Sequence, residues 1–258
     1  MTDPAAEYGG ATAADHGAAP VPEHGAAPAP EHGAHPAAEH GADPAAAHGA
    51  APAPEPSRER TTHGVGPWPG EWPEGEQYDP ELLANGDTRN VIDRYRYWTM
   101  EAIVADLDAR RHPFHVAIEN WQHDMNIGSI VRSANAFLAD TVHIIGRRRW
   151  NKRGAMVTDR YQHVVHHPDV ETFAAWAREE GVPIVAVDNV GEAVPVDRAE
   201  LPERCVLLFG QEGPGLSPEA LAAASSHIEI TQYGSTRSIN ASAAAAIVMY
   251  EWCRRHAG

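Results

Sequence analysis

Between residues 113 and 255 the apolar positions fall into short continuous runs separated by stretches of helical spacing. "HVAIEN" (115–120), "TVHIIG" (141–146), "VPIVAVDN" (182–189), "RCVLLFG" (204–210) and "HIEIT" (227–231) read as strands, each bounded by polar or glycine positions. Ile127 to Leu138 has helical spacing behind Asn126, a good capping residue, and "VETFAAWAREEG" is a second helix with a glycine stop. The last helix opens in "GSTRSINASAAAAI", residues 234–247, where small residues crowd together. Strands that are apolar throughout rather than alternately belong to a parallel sheet covered on both faces, so the fold class is α/β.

Upstream the pattern changes. Val91, Tyr95, Trp98, Ile103 and Leu107 recur at helical steps and predict one long amphipathic helix ending at "ARRHP", preceded by the connector "GPWPGEWPEGEQYDP". From Asp15 to Pro56, His-Gly-Ala returns every eight residues at His16, His24, His32, His40 and His48, with no hydrophobic residue larger than valine. Such a stretch cannot bury enough apolar surface to offset its ordering entropy, nor stack as a solenoid. Residues 1–57 are therefore expected to be a disordered, partly polyproline-like tail, 58–112 a connector with a helical extension, and 113–258 the folded α/β domain. The five histidines have no fixed geometry for holding a metal.

Charge refines this picture. The tail carries eight acids and no Lys or Arg, half of the formal charge of −16, which leaves −8 for the rest. An acidic body argues against nucleic-acid binding by bulk charge, so a polyanion partner needs a local patch. "GRRRWNKRG" supplies one with Arg147, Arg148, Arg149, Lys152 and Arg153 around Trp150. Two cysteines in apolar segments, no apolar run long enough to span a bilayer and no leader-like amino terminus lead to the expectation of a reducing, cytoplasmic location.

In parallel α/β sheets ligands sit at strand carboxyl ends, and three loops there are unusual in composition. None is a phosphate-binding G-x-x-x-x-G-K-[ST] loop, a dinucleotide G-x-G-x-x-G, a G-x-S-x-G elbow or a zinc H-E-x-x-H helix. Instead the chain has N-x-G-x-x-x-R at Asn126, Gly128 and Arg132, and F-G-x-E-x-x-G-L-S at Phe209, Gly210, Glu212, Gly215, Leu216 and Ser217. The third set is S-I-N-x-S-x-A-x-A-I at Ser238, Ile239, Asn240, Ser242, Ala244, Ala246 and Ile247. In this order, and in this strand-loop-helix setting, the set resembles the SpoU/TrmH branch of the SPOUT RNA methyltransferases over residues 113 to 255.

The resemblance implies a SPOUT α/β knot, in which a parallel sheet flanked by helices ends in a C-terminal deep trefoil knot that grips S-adenosyl-L-methionine. Small residues from Gly234 to Ala246 would let one chain segment pass beside another and let backbone reach the cofactor. Gly210, Ile230 and Ile239 match positions that hold the cofactor through backbone, and Gln232 lines the same loop. Relatives usually have Ile-Pro-Met where this chain has Ile230, Thr231 and Gln232, which makes Gln232 the departure from the pattern. Arg132, Asn126, Glu212, Ser238 and Asn240 match catalytic positions, with Glu212 expected to tie loops together by accepting hydrogen bonds. The implied reaction is methylation of a ribose 2′-hydroxyl in tRNA or rRNA, with no metal, by a homodimer whose final helix, through Ile247, Tyr250 and Trp252, lies at the interface. A guanidinium keeps its proton at physiological pH, so Arg132 is expected to steady the developing oxyanion rather than accept a proton. Arg147, Arg148, Arg149, Lys152, Arg153 and Arg237 become RNA clamps. Two other readings stay open: a catalytically silent knotted RNA- or ribosome-binding protein, and a small-molecule methyltransferase that does not need the basic loop.

Overall fold

The computed structural model describes residues 64–122 and 126–257; the His-Gly-Ala repeat and residues 123–125 lie outside them. Seven strands form one sheet, all neighbours parallel: β1 (His115–Asn120), β2 (Thr141–Gly146), β3 (His163–His167), β4 (Ile184–Val187), β5 (Val194–Pro195), β6 (Val206–Phe209) and β7 (Ser226–Glu229). Their spatial order is β3-β2-β1-β6-β4-β7-β5. The register sets Val116 of β1 between Val142 of β2 and Leu207 of β6. Side chains alternate across this sheet, so each strand feeds two cores. Val116, Ile118, Val142 and Leu207 meet α3 (Asn126–Ala136) and α6 (Ala241–His256) on one face. Ala117, Ile145 and Leu208 meet α4 (Val170–Glu179) and α5 (Pro218–Ala223) on the other. Continuously apolar runs thus occur where both faces are covered. Cys205 is fully buried, which pushes its thiol up to about 12.

The predicted strands and the helices over 126–138 and 170–181 are present, with Asp169 capping α4 through Thr172 and Gly181 stopping it at positive φ. β3 was not visible in the sequence, because three histidines in "HVVHH" hide its alternation.

Three expectations are corrected. The long helix over 91–107 is broken into a single 3-10 turn, Asp93–Tyr95, and α2 (Met100–Asp108), which follows α1 (Pro80–Asn85). The cause is the fully buried Asp87. Its Oδ2 accepts Tyr97 N–H at 3.0 Å while Arg89 forks onto both oxygens at 2.9 and 2.7 Å, and Tyr97 is drawn into positive φ. Burial pushes the Asp87 carboxyl up, but these hydrogen bonds outweigh it and hold it below the usual range. Thr99 then caps α2 by accepting from Ala102 N–H. Second, Trp252 is a core residue, not an interface one: it is 1% exposed, its ring lies 4.3 Å from that of Phe114, and its Nε1 donates to Pro202 O. Third, the final helix begins at Ala241 behind Asn240, so residues 234–239 form a loop ahead of it. Among the described residues no helix is long and apolar enough to cross a membrane.

Candidate functional site

The carboxyl ends of β4, β6 and β7 open onto a cavity of about 720 Å³. It is walled by residues 187–190 after β4, by 209–215 after β6, and by Ile230, Gln232 and 237–241 on the way into α6. Close chain approach explains its glycines. A Cβ on Gly210 would sit 2.1 Å from the Gly215 carbonyl carbon, because Gln211 and Gly215 exchange backbone hydrogen bonds at 3.1 Å across a tight turn. Gly215 closes that turn at φ +74°, a conformation that suits glycine. The first turn of α6 contributes only Ala241 and Ala244, which keeps the wall thin.

Side chains that carry no local sequence signal hold these loops. Asp188 accepts Leu216 N–H at 2.9 Å, and Gln211 Oε1 accepts the N–H groups of Trp121 and Gln122 at 2.9 and 2.8 Å. Glu119, fully buried at the end of β1, accepts Ser217 N–H and Oγ–H at 2.7 Å each and Trp121 Nε1–H at 2.8 Å. Ser217 in turn caps α5 through Ala220. Each ties a loop after one strand to a loop after another.

The three sequence motifs meet in a single hydrogen-bonded chain. Asn240 Nδ2 donates to Asn126 Oδ1 at 2.8 Å, and Asn126 Nδ2 donates to Glu212 Oε2 at 2.8 Å. Asn126 is the first residue of α3 and directs its amide across the site. Asn240 also caps α6, its Oδ1 accepting Ser242 and Ala243 N–H. Ser238 and Ile239 line the cavity, as do Gly210, Ile230 and Gln232.

Arg132 does not line the cavity; it is exposed on α3, and among the described residues no carboxylate pairs with it. Gly128, one turn earlier on the same face, has no room for a side chain, since a Cβ there would lie 2.8 Å from both Asn151 O and Ala155 N. That contact clamps the basic loop onto α3. Arg147, Arg148, Arg149 and Arg153 are exposed there, while Lys152 is engaged with Asp159 at 2.8 Å. Asn120, buried at the end of β1, holds the loop's other end by donating to Arg147 O at 2.6 Å and Arg149 O at 3.0 Å. Arg237 belongs to the cavity wall instead: its carbonyl accepts from Asn189 Nδ2.

A cavity of this size suits a nucleoside joined to an amino acid. The residues present fit that kind of group: two acidic side chains, Asp188 and Glu212, line it, and Gln232 Oε1 is buried at its wall with no hydrogen-bond partner among the described residues.

Fold and site together define an α/β protein that takes its ligand at the carboxyl ends of parallel strands, in a cavity built from three interlocked loops. The SpoU rRNA Methylase family matches residues 113–250, and the chain belongs to that family. It is 29% identical over 157 residues to the tRNA (guanosine(18)-2′-O)-methyltransferase of Escherichia coli K12, a match that covers 59% of this chain and 69% of that one. The enzyme of the same description from Thermus thermophilus is 28% identical over 151 residues, covering 55% and 75%. Among solved structures, the SpoU methyltransferase AviRb of Streptomyces viridochromogenes, in complex with the cofactor AdoMet, superposes with a TM-score of 0.51 at 27% identity over 58% of this chain and 60% of that chain. Residues before 113 lie outside the family match.

Proposed function

We propose that the protein is an S-adenosyl-L-methionine-dependent methyltransferase acting on the ribose 2′-hydroxyl of tRNA or rRNA. The observation that carries this reading is the Asn240–Asn126–Glu212 chain, which joins all three motif loops at the cavity through α3, the helix that carries Arg132 and packs against the basic loop at Gly128. The bound cofactor supplies an electrophilic methyl group. The protein's residues do the rest. Gly210, Ile230, Gln232 and Ile239 hold the donor against backbone. Asn126, Glu212, Ser238 and Asn240 keep the loops in one arrangement, so that no reorganisation is needed at the moment of transfer. Arg132 faces the acceptor as a fixed cation, clamping a phosphate and stabilising charge on the sugar oxygen as its proton leaves to water. Arg147, Arg148, Arg149, Lys152, Arg153 and Arg237 contact phosphates, positioning the RNA without reading its sequence.

The same reading includes a C-terminal segment threaded as a trefoil knot, a methyltransferase domain over 113–258 with 58–112 as a docked extension, and a homodimer. Ile247 and Tyr250, exposed on α6 with the Tyr250 ring 6.4 Å from Phe137, offer the apolar face for that pairing. The test is transfer of a labelled methyl group to total tRNA and rRNA by wild type and Arg132→Ala, beside calorimetric titration with the cofactor. Transfer by wild type, lost in the variant with cofactor binding intact, is the expected result. Cofactor binding with no transfer to any RNA would sink the reading in favour of a silent RNA-binding protein.

A further inference from the structure

The basic loop ends in a feature that phosphate binding does not require. Met156 and Val157 are consecutive residues at positive φ, 48° and 72°, and neither is a glycine or an asparagine. Left-handed backbone at a β-branched residue is strained, and strain of this kind persists only where the surroundings enforce it. Here they do. On one side the turn Lys152–Ala155 is wedged onto α3, with Ala155 fully buried and a Gly154 Cβ having only 2.9 Å to Ser129 N. On the other, Thr158 is buried and its hydroxyl donates to Ala155 O at 2.6 Å. With both flanks pinned, the two residues between are pushed outward and are 52% and 51% exposed.

The position of this apolar knuckle identifies what it meets. It follows directly on Arg147, Arg148, Arg149 and Arg153, all exposed. The turns on both its sides pack on α3, the helix that carries Arg132 on the same face as Gly128. A pair of exposed apolar side chains at the end of a loop with four exposed arginines is complementary to a polyanion that also has apolar surface, which describes nucleic acid with its bases unstacked. Apolar side chains such as methionine, inserted at a base step, unstack it and free the sugar there to be turned toward a site.

We propose that Met156 and Val157 form a wedge that enters a base step of the RNA substrate, turning out the nucleotide whose ribose faces Arg132 while the arginines hold the flanking phosphates. This rests on the RNA-methyltransferase reading above and adds to it a residue pair that unstacks the substrate. Backbone strain is the structural cost of holding two apolar side chains exposed at the end of a basic loop.

The test uses the full chain carrying Met156→Gly and Val157→Gly, total tRNA and rRNA as substrates, and a second variant, Met156→Leu and Val157→Ile, that retains apolar bulk. Glycine relieves the positive-φ strain, so the melting temperature of the first variant should equal or exceed that of wild type. Its affinity for the RNA and the salt dependence of binding should change by less than about threefold, because the phosphate contacts remain. Its turnover should fall by about tenfold or more, since alignment of the sugar is lost. The Leu/Ile variant should keep most of the turnover. Undiminished turnover in the glycine variant, with wild type active, overturns the wedge and leaves the methyltransferase reading standing. A glycine variant that melts lower or changes its oligomeric state also overturns it, in favour of a folding or self-association role. If wild type transfers no methyl group to any RNA, the reading and the wedge fall together.

Discussion

The sheet has two halves that solve different problems. In β4 and β6 every residue is apolar and buried, β7 beside them buries Ile228, and the loop after β6 carries Gly210, Gly213 and Gly215. In β1, β2 and β3 the strands bury polar side chains: Glu119 and Asn120 at the end of β1, and His115, His143 and His167 in a row across all three. The first half makes room, because small residues leave a cavity where backbone lines the wall. The second half makes fastenings, because each buried polar group must find a partner and so fixes the loop that supplies it. Glu119 fastens Ser217 to the cavity side, Asn120 fastens the basic loop, and the histidines fasten the strands to one another. The site thus depends on one half for its space and on the other for its alignment.

The largest effect should come from breaking the histidine row with acid. His143 Nδ1 lies 2.9 Å from His167 Nε2, and its Nε2 lies 3.3 Å from His115 Nδ1, under the ring of Trp176 at 4.0 Å. Burial first, and then the neighbouring His115 and His167, push His143 from near 6.5 down to about 2; burial also lowers His115 and His167. Above pH 6.5 both folded and unfolded chains hold these rings neutral, and they contribute no pH dependence. As pH falls below 6.5 the unfolded chain takes up protons that the folded chain refuses, so stability is lost at about 1.4 kcal/mol per pH unit for His143, and the lowered His115 and His167 add to the loss in the same direction. Asp140, 3.6 Å from His115, offsets part of this. Urea unfolding between pH 7 and 5 should show the loss, and a His143→Phe variant should show a shallower slope; an identical slope would remove the row from the account.

Glu119→Ala comes next. It strands three donors in a buried place, at a cost of about 3 kcal/mol in unfolding free energy. The damage should also reach the other half of the sheet, with the loop 211–217 losing protection from hydrogen exchange before the rest of the core. Gly210→Ala is the complementary change in the spacious half. A methyl group meeting the Gly215 backbone at 2.1 Å must displace the turn, and cofactor affinity measured by calorimetry should drop by about a hundredfold. Retained affinity would mean that the turn does not shape the cavity.

The smallest expected effect sharpens the contrast most. Asn120→Ala frees the carbonyls of Arg147 and Arg149 without touching the cavity, so RNA affinity should weaken by about tenfold while cofactor affinity stays within twofold. Equal losses for both ligands would show that the two halves are not separable.

Much of the first half was legible in the sequence, because space leaves a local trace. Apolar runs marked β4 and β6, the short segment HIEIT marked β7, and the glycines and alanines of residues 209–217 and 234–247 marked the loops that approach one another. The N-x-G-x-x-x-R motif of Asn126, Gly128 and Arg132 was also visible, with Gly128 and Arg132 one helical turn apart. The fastenings were not legible. Glu119, Asn120 and Asp188 are single polar residues at strand ends, and nothing beside them in the chain distinguishes a buried anchor from a solvated one. The same holds for Asp87, whose capture of Tyr97 broke a helix that periodicity alone predicted, and for Trp252, whose place in the core was decided by Phe114 and Pro202.

The sequence by itself therefore determined the class of fold, the order of its five apolar or alternating strands and the three loops that meet, since these follow from hydrophobic period and residue size. Only the tertiary structure decided which polar side chains are buried, which loops they hold, and that Met156 and Val157 are forced outward. A hydrogen bond between residues about a hundred positions apart, such as Ser217 to Glu119, depends on packing that brings them together and on nothing written near either one.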